Sequence, residues 1–226
     1  MSWNDFFIKN SKLINHILNQ LKTTYYTPPL EEIFAIFKYI PLEKVKVVMI
    51  GDEPYQKSCD RSDIAFATRN STPPLLLKRI FQNMESTVNS FKRPIDYHLD
   101  QWLKNGIFLC NFCFTRPVVD TIPFHYYLLW EPFINNLVQY ISNHHSVVFL
   151  LFGSKAISLR KSINEIKSSV VEVPHPINEY TKFKNSKCFI LYFMMLYYYF
   201  LIKSSAAHDI EYSGKFKCSD QFIIFQ

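Results

Sequence analysis

Four short apolar runs, at residues 45–50, 107–110, 146–152 and 170–173, alternate with stretches of helical periodicity, and each gives way to polar or small residues. Strands that alternate with helices pair in parallel, because each intervening helix carries the chain back over the sheet to the edge it left. The expected fold class is therefore α/β, a central and mostly parallel four-stranded sheet flanked by helices. Helical spacing covers residues 4–21, 30–39, 75–89, 101–104 and 130–143. Two of these stretches are entered through Pro28 and Pro29 and through Pro73 and Pro74, where proline's fixed φ and missing N–H do no harm. No linker, repeat or low-complexity tract interrupts the pattern, so residues 1–226 are expected to form a single domain. An apolar share of 48% excludes a disordered chain.

Ligands of open α/β sheets bind outside the carboxyl ends of the strands, so the residues at the end of each apolar run matter most. The first run leads into Gly51-Asp52-Glu53-Pro54-Tyr55-Gln56, the second into Asn111, the third into Gly153 and Ser154, and the fourth into His175. In a parallel sheet all of these meet at one edge. A carboxylate, an amide, a histidine and aromatic rings around one cleft can orient water, read a planar polar ligand and stabilise a developing anion.

The remaining features are less specific. A formal net charge of +6 permits an anionic partner such as nucleic acid. Five cysteines are an odd set in a chain without a secretory signal, which points to reduced thiols and an intracellular protein. Cys110 and Cys113 form a lone C-x-x-C with no second Cys/His pair nearby, so they are read as strand packing rather than as a metal or redox site. The uncharged stretch that starts at Cys188 and ends at Ile202 is shorter than the roughly 20 residues a membrane span needs. It is expected to be a terminal helix packed on the sheet, or an apolar surface that takes a protein partner.

Taken together, these segments resemble family 1 uracil-DNA glycosylases over nearly the whole chain. Gly51 to Gln56 is similar to the water-activating GQDPYH motif, and Ile64-Ala65-Phe66-Ala67 to the stretch carrying the aromatic that stacks on uracil. Pro73-Pro74-Leu75-Leu76 resembles the proline-rich loop that compresses the DNA backbone. The strand ending in Asn111 resembles the uracil-reading strand, Gly153-Ser154 the Gly-Ser loop, and His175-Pro176 the start of the HPSPLS intercalation loop. The resemblance implies an enzyme that flips uracil out of DNA and hydrolyses its N-glycosidic bond without metal or cofactor. It implies that Glu53 orients the water and that His175 stabilises the leaving base. Phe66, Asn111, Tyr55 and Asp52 would hold the uracil, and Gln56, Pro73, Pro74, Gly153, Ser154, Ile177 and Tyr180 would contact DNA.

The chain departs from the family pattern where DNA is handled and water is activated. Glu53 stands in the place of the family's aspartate and Asp52 in that of the preceding glutamine. Two adjacent carboxylates repel each other, so Asp52 is expected to turn away or to contribute mainly its backbone amide. Gln56 replaces a histidine and Leu76 a serine, while Glu179 falls where the family inserts a leucine wedge, leaving Tyr180 or Ile177 to act instead. Poxvirus glycosylases depart in the same regions and double as components of a polymerase complex. They suggest an alternative reading, in which a catalytically weak or inactive viral member serves as a DNA-replication or polymerase-associated binding subunit in the host nucleus or cytoplasm.

Overall fold

A computed structural model describes residues 1–57, 60–88, 91–118 and 126–189. In chain order the elements are α1 (Trp3–Lys9), α2 (Ser11–Leu21), β1 (Tyr26–Thr27), α3 (Ile36–Tyr39), β2 (Val47–Gly51), α4 (Leu75–Thr87) and α5 (Asp100–Lys104). They continue with β3 (Ile107–Asn111), β4 (Arg116–Pro117), α6 (Tyr126–His144), β5 (Val148–Phe152), α7 (Gly153–Ile157), β6 (Ser169–Val173) and α8 (Tyr180–Asn185). The main sheet has the order β3-β2-β5-β6, and every pair in it is parallel. The central strands β2 and β5 are buried along their whole length, as sheet positions covered by helices on both faces must be. Edge strand β6 instead exposes Glu172 between the buried Val171 and Val173.

An aromatic cluster packs α1, α3 and α6 onto β3. The ring of Phe37 lies 4.9 Å from Trp3, 5.3 Å from Phe108 and 6.5 Å from Phe133, centroid to centroid. Burying each such side chain contributes about 1.5–3 kcal/mol, so this layer fixes the rigid wall from which the strand ends project.

The helices differ from the periodicity in informative ways. The stretch 4–21 breaks at Asn10, whose side-chain amide donates to the Phe6 carbonyl at 2.9 Å and accepts from Asn136 at 2.7 Å. A short polar side chain competes with the helix's own backbone bonds, which apolar spacing cannot reveal. Most of 30–39 is tighter than an α-helix, with i→i+3 bonds from Glu32 to Pro29, Ala35 to Glu32 and Lys38 to Ala35, and only Ile36–Tyr39 is α-helical. The small antiparallel pair of β1 with β4 and the short helices α7 and α8 carry too few residues to show a period.

Cys110 and Cys113 are buried free thiols at and just beyond the end of β3, and burial pushes both thiol pKa values up. Cys188 and Phe189 are buried, and the rest of the apolar stretch to Ile202 lies outside the described residues. Among the described residues no helix is long and apolar enough to cross a membrane.

Candidate active site

Parallel pairing brings the strand ends to one edge. The register sets Gly51 beside Asn111, β5 runs directly into Gly153, and two residues beyond β6 stands His175. Between them opens a cleft of about 580 Å³ lined by Asp52, Glu53, Tyr55, Phe66, Asn111 and His175, with Gln56, Pro74 and Ile177 also on its wall. Asp52 and His175, far apart in sequence, thus share one cavity, as the polar strand ends imply.

Two glycines make this convergence sterically possible. A Cβ on Gly51 would lie 2.8 Å from Asn111 Oδ1 and 3.0 Å from Phe66 Cζ, so its absence lets the amide and the ring close over the end of β2. Gly153 has φ +81°, and a Cβ there would sit 3.0 Å from His175 Cδ2. The turn out of β5 therefore needs both glycine's backbone freedom and its lack of a side chain.

Phe66 is buried and adopts φ 68°, uncommon for a residue with a side chain. The Tyr55 hydroxyl donates to the Phe66 carbonyl at 2.8 Å and so holds this backbone in place. Burial pushes the Tyr55 pKa up, which keeps the hydroxyl protonated as that donor.

The state of His175 follows from its neighbours. Its Nδ1 accepts from the backbone N–H of both Ile177 and Asn178, each at 3.1 Å. A nitrogen that accepts carries no proton, so the neutral ring bears its hydrogen on Nε2. Burial lowers the His175 pKa below its ordinary value, with the Glu179 carboxylate opposing, and this favours the neutral ring.

Glu179 does not project as a wedge, contrary to its place in the intercalation motif. Its Oε2 accepts from the His175 backbone N–H at 3.1 Å, while Oε1 pairs with Lys182 at 3.1 Å. An acidic side chain at the start of α8 is more stable folded back onto the His175 N–H and the Lys182 ammonium than thrust toward DNA phosphates. Tyr180 is likewise turned to the protein, its ring 3.8 Å from the Arg79 guanidinium, which also donates to the carbonyl of Pro176 at 2.8 Å. Ile177 remains exposed on the loop.

The two carboxylates are also arranged differently from the expectation. Glu53 Oε1 lies 3.4 Å from Arg116 Nη1, and the same nitrogen donates to the Pro54 carbonyl at 3.4 Å. Asp52 does not turn away: its Oδ2 lies 3.6 Å from His175 Nε2. Beyond the paired strands, the carbonyls of Gly51 and Asp52 accept from the N–H groups of Phe112 and Cys113 at 2.8 and 2.9 Å, which anchors the backbone of the turn that carries Asp52. Repulsion between the carboxylates is relieved because Glu53 swings to Arg116. Desolvation pushes the Asp52 pKa up to about 6, against the lowering effect of Lys155.

Pro73, Gly153, Ser154 and Tyr180 lie outside the cleft wall. Pro73 is half-buried ahead of α4, Gly153 underlies His175, and Ser154 is exposed in the first turn of α7. Arg116, Lys155 and Arg79, which restrain the site, were not foreseen. Lys155 directly follows the Gly153-Ser154 motif and Arg116 and Arg79 lie in none, and all three roles arise from contacts between segments far apart in sequence.

Comparison with known proteins agrees with this geometry. The sequence matches the uracil DNA glycosylase superfamily over residues 37–196. It is 32% identical over 188 residues to the uracil-DNA glycosylase of Escherichia coli O1:K1, covering 78% of this chain and 80% of that protein. It is 31% identical over 204 residues to that of Klebsiella pneumoniae strain 342, covering 84% and 87% of the two chains. The fold is similar to the crystal structure of mimivirus uracil-DNA glycosylase, with a TM-score of 0.69 and 24% identity over 77% of this chain and 67% of that one. Family match, sequence identity and the residues gathered at the sheet edge lead to one conclusion, that the chain belongs to the uracil-DNA glycosylase family.

Proposed function

We propose that this cleft holds a uracil flipped out of DNA and hydrolyses its N-glycosidic bond, with Glu53 orienting the water and His175 stabilising the departing base. Uracil-DNA glycosylase activity in base excision repair is the function of the chain. The observation that carries the residue assignment is the neutral His175 ring, whose N–H is on Nε2 and faces the cleft. As the bond breaks, the sugar becomes cationic and the base anionic, and a preorganised neutral donor gains strength as that negative charge develops.

The other residues take roles their chemistry suits. Phe66 stacks on the base, and the Asn111 amide, with one donor and one acceptor group, pairs with uracil and rejects cytosine's inverted pattern. Tyr55 fills the space beside C5, where thymine carries a methyl. The Glu53 carboxylate orients water, its charge favours the cationic sugar, and Arg116 tethers the longer side chain in one place. Gln56, Pro73, Pro74, Gly153 and Ser154 meet the DNA backbone. Exposed and apolar, Ile177 acts as the wedge that replaces the flipped base, whereas Tyr180 secures the loop through Arg79.

Release of uracil from single- and double-stranded DNA tests the assignment. Glu53→Gln lowers kcat by about 10²- to 10⁴-fold, the range of a positioned base, and leaves KM little changed. Wild-type activity no higher than that of Glu53→Gln refutes the role of Glu53.

A further inference from the structure

Asp52 is a cleft carboxylate whose surroundings oppose its charge, chiefly through burial. Its Oδ1 is buried and accepts no hydrogen bond from any described residue, while Oδ2 lies 3.6 Å from the single N–H of the His175 ring. That N–H is the group assigned to the leaving base. A carbonyl oxygen that takes this N–H from the side of Asp52 lies close to the Asp52 carboxyl as well. An ionised Asp52 competes for the N–H and repels the anionic base. A protonated Asp52 does neither, and its hydroxyl supplies a second donor to the same oxygen, as a carboxylic acid held neutral in an apolar site can do.

We propose that Asp52 is a further catalytic residue, active as the neutral acid and inhibitory as the carboxylate, which makes the enzyme acid-activated. This inference rests on the reading of the cleft as a uracil site. The groups facing Asp52 leave it as the one that switches. From α7, Lys155 favours the carboxylate, and its Nζ lies 4.5 Å from the Tyr127 ring of α6. Beyond β3, Cys113 is buried and its pKa is pushed up, first by burial and then by Glu53 and Asp52. Tyr127 is pushed up by burial first and then by the same two carboxylates, so it stays protonated. Glu53, next in the chain, faces Arg116 on β4. His175 is lowered by burial and stays neutral above its depressed pKa. Desolvation raises the Asp52 pKa to about 6, inside the pH range in which the switch acts, and the Asp52→Asn variant separates its ionisation from that of His175.

Single-turnover uracil release and the Kd for free uracil, both measured from pH 5 to pH 8 with wild type, Asp52→Asn and Asp52→Gln, test this. The wild-type rate falls about 100-fold over that span, because a single acid loses about tenfold of its protonated form per unit above its pKa. Both variants, which cannot ionise and still present an N–H, give level profiles. The Kd for free uracil, which needs no turnover, rises at least about tenfold in wild type and stays level in Asp52→Asn. An alkaline loss in either readout that Asp52→Asn abolishes supports the proposal. Level wild-type profiles in both, or an alkaline loss that survives in Asp52→Asn, overturn it. Absence of turnover at every pH with the uracil-binding change intact refutes the role of Glu53 and still supports that of Asp52.

Discussion

Gly51→Ala separates the assembly of the uracil-reading surface from the stability of the sheet. The added methyl would stand 2.8 Å from Asn111 Oδ1 and 3.0 Å from Phe66 Cζ, both well inside an ordinary contact of about 3.5 Å. Gly51 does not use the left-handed backbone region, so alanine meets no conformational penalty there. Relief comes through the two contacted side chains: the Asn111 amide retreats by about 0.5–1 Å and the Phe66 ring tilts. Misplacement near 1 Å costs roughly 10²-fold in rate, equivalent to about 2.7 kcal/mol of transition-state binding. Stability changes by only about 1 kcal/mol, since the clash falls on the far ends of two side chains and no hydrogen bond of β2 is lost. Uracil release under kcat/KM conditions, alongside thermal unfolding, reads both quantities. In an Asn111→Ala background the same substitution costs far less, because residues in contact are not additive. Activity of Gly51→Ala within about threefold of wild type, or an equal loss in both backgrounds, refutes the steric argument.

The contacts of Tyr55 and Asp52 set two further outcomes. Tyr55→Phe removes the 2.8 Å bond to the Phe66 carbonyl and lowers stability by about 0.5–1.5 kcal/mol, with a larger proportional rise in the Kd for uracil as the strained Phe66 backbone loosens, read by unfolding and by equilibrium binding. Asp52→Asn stabilises the protein at neutral pH. The folded pKa of about 6 is raised above the ordinary 3.8, so Asp52 favours folding below about pH 4 and loses that contribution as pH rises through about 6, a penalty of about 3 kcal/mol at pH 7. Unfolding midpoints of the two proteins therefore differ at pH 7 and converge near pH 4, and a constant difference across that range contradicts the burial argument.

Much of the site was legible because parallel topology converts local pattern into position. Once 45–50, 107–110, 146–152 and 170–173 are recognised as strands separated by helices, Asp52, Asn111, Gly153 and His175 must meet at one edge. Gly51 and Gly153 could be recognised as punctuation, but their purpose depends on what approaches them, Asn111 and Phe66 in one case and His175 in the other.

The sequence by itself determined the sheet, the shared edge and the identity of the groups around the cleft, because each depends on residues close in the chain. Tertiary structure alone decided how those groups are used. Glu179 became a clamp on His175 rather than a wedge, since the turn from His175 into α8 brings its carboxylate to the His175 N–H. Glu53 acquired a counter-charge only because the β1-β4 pair lies where Arg116, distant in sequence, reaches it. Asp52 stays in the cleft because the Cys113 N–H anchors its backbone carbonyl beyond the sheet, with its Oδ2 3.6 Å from His175 Nε2. Burial, proton position and long-range charge pairing are properties of surroundings, and these exist only once distant segments have packed.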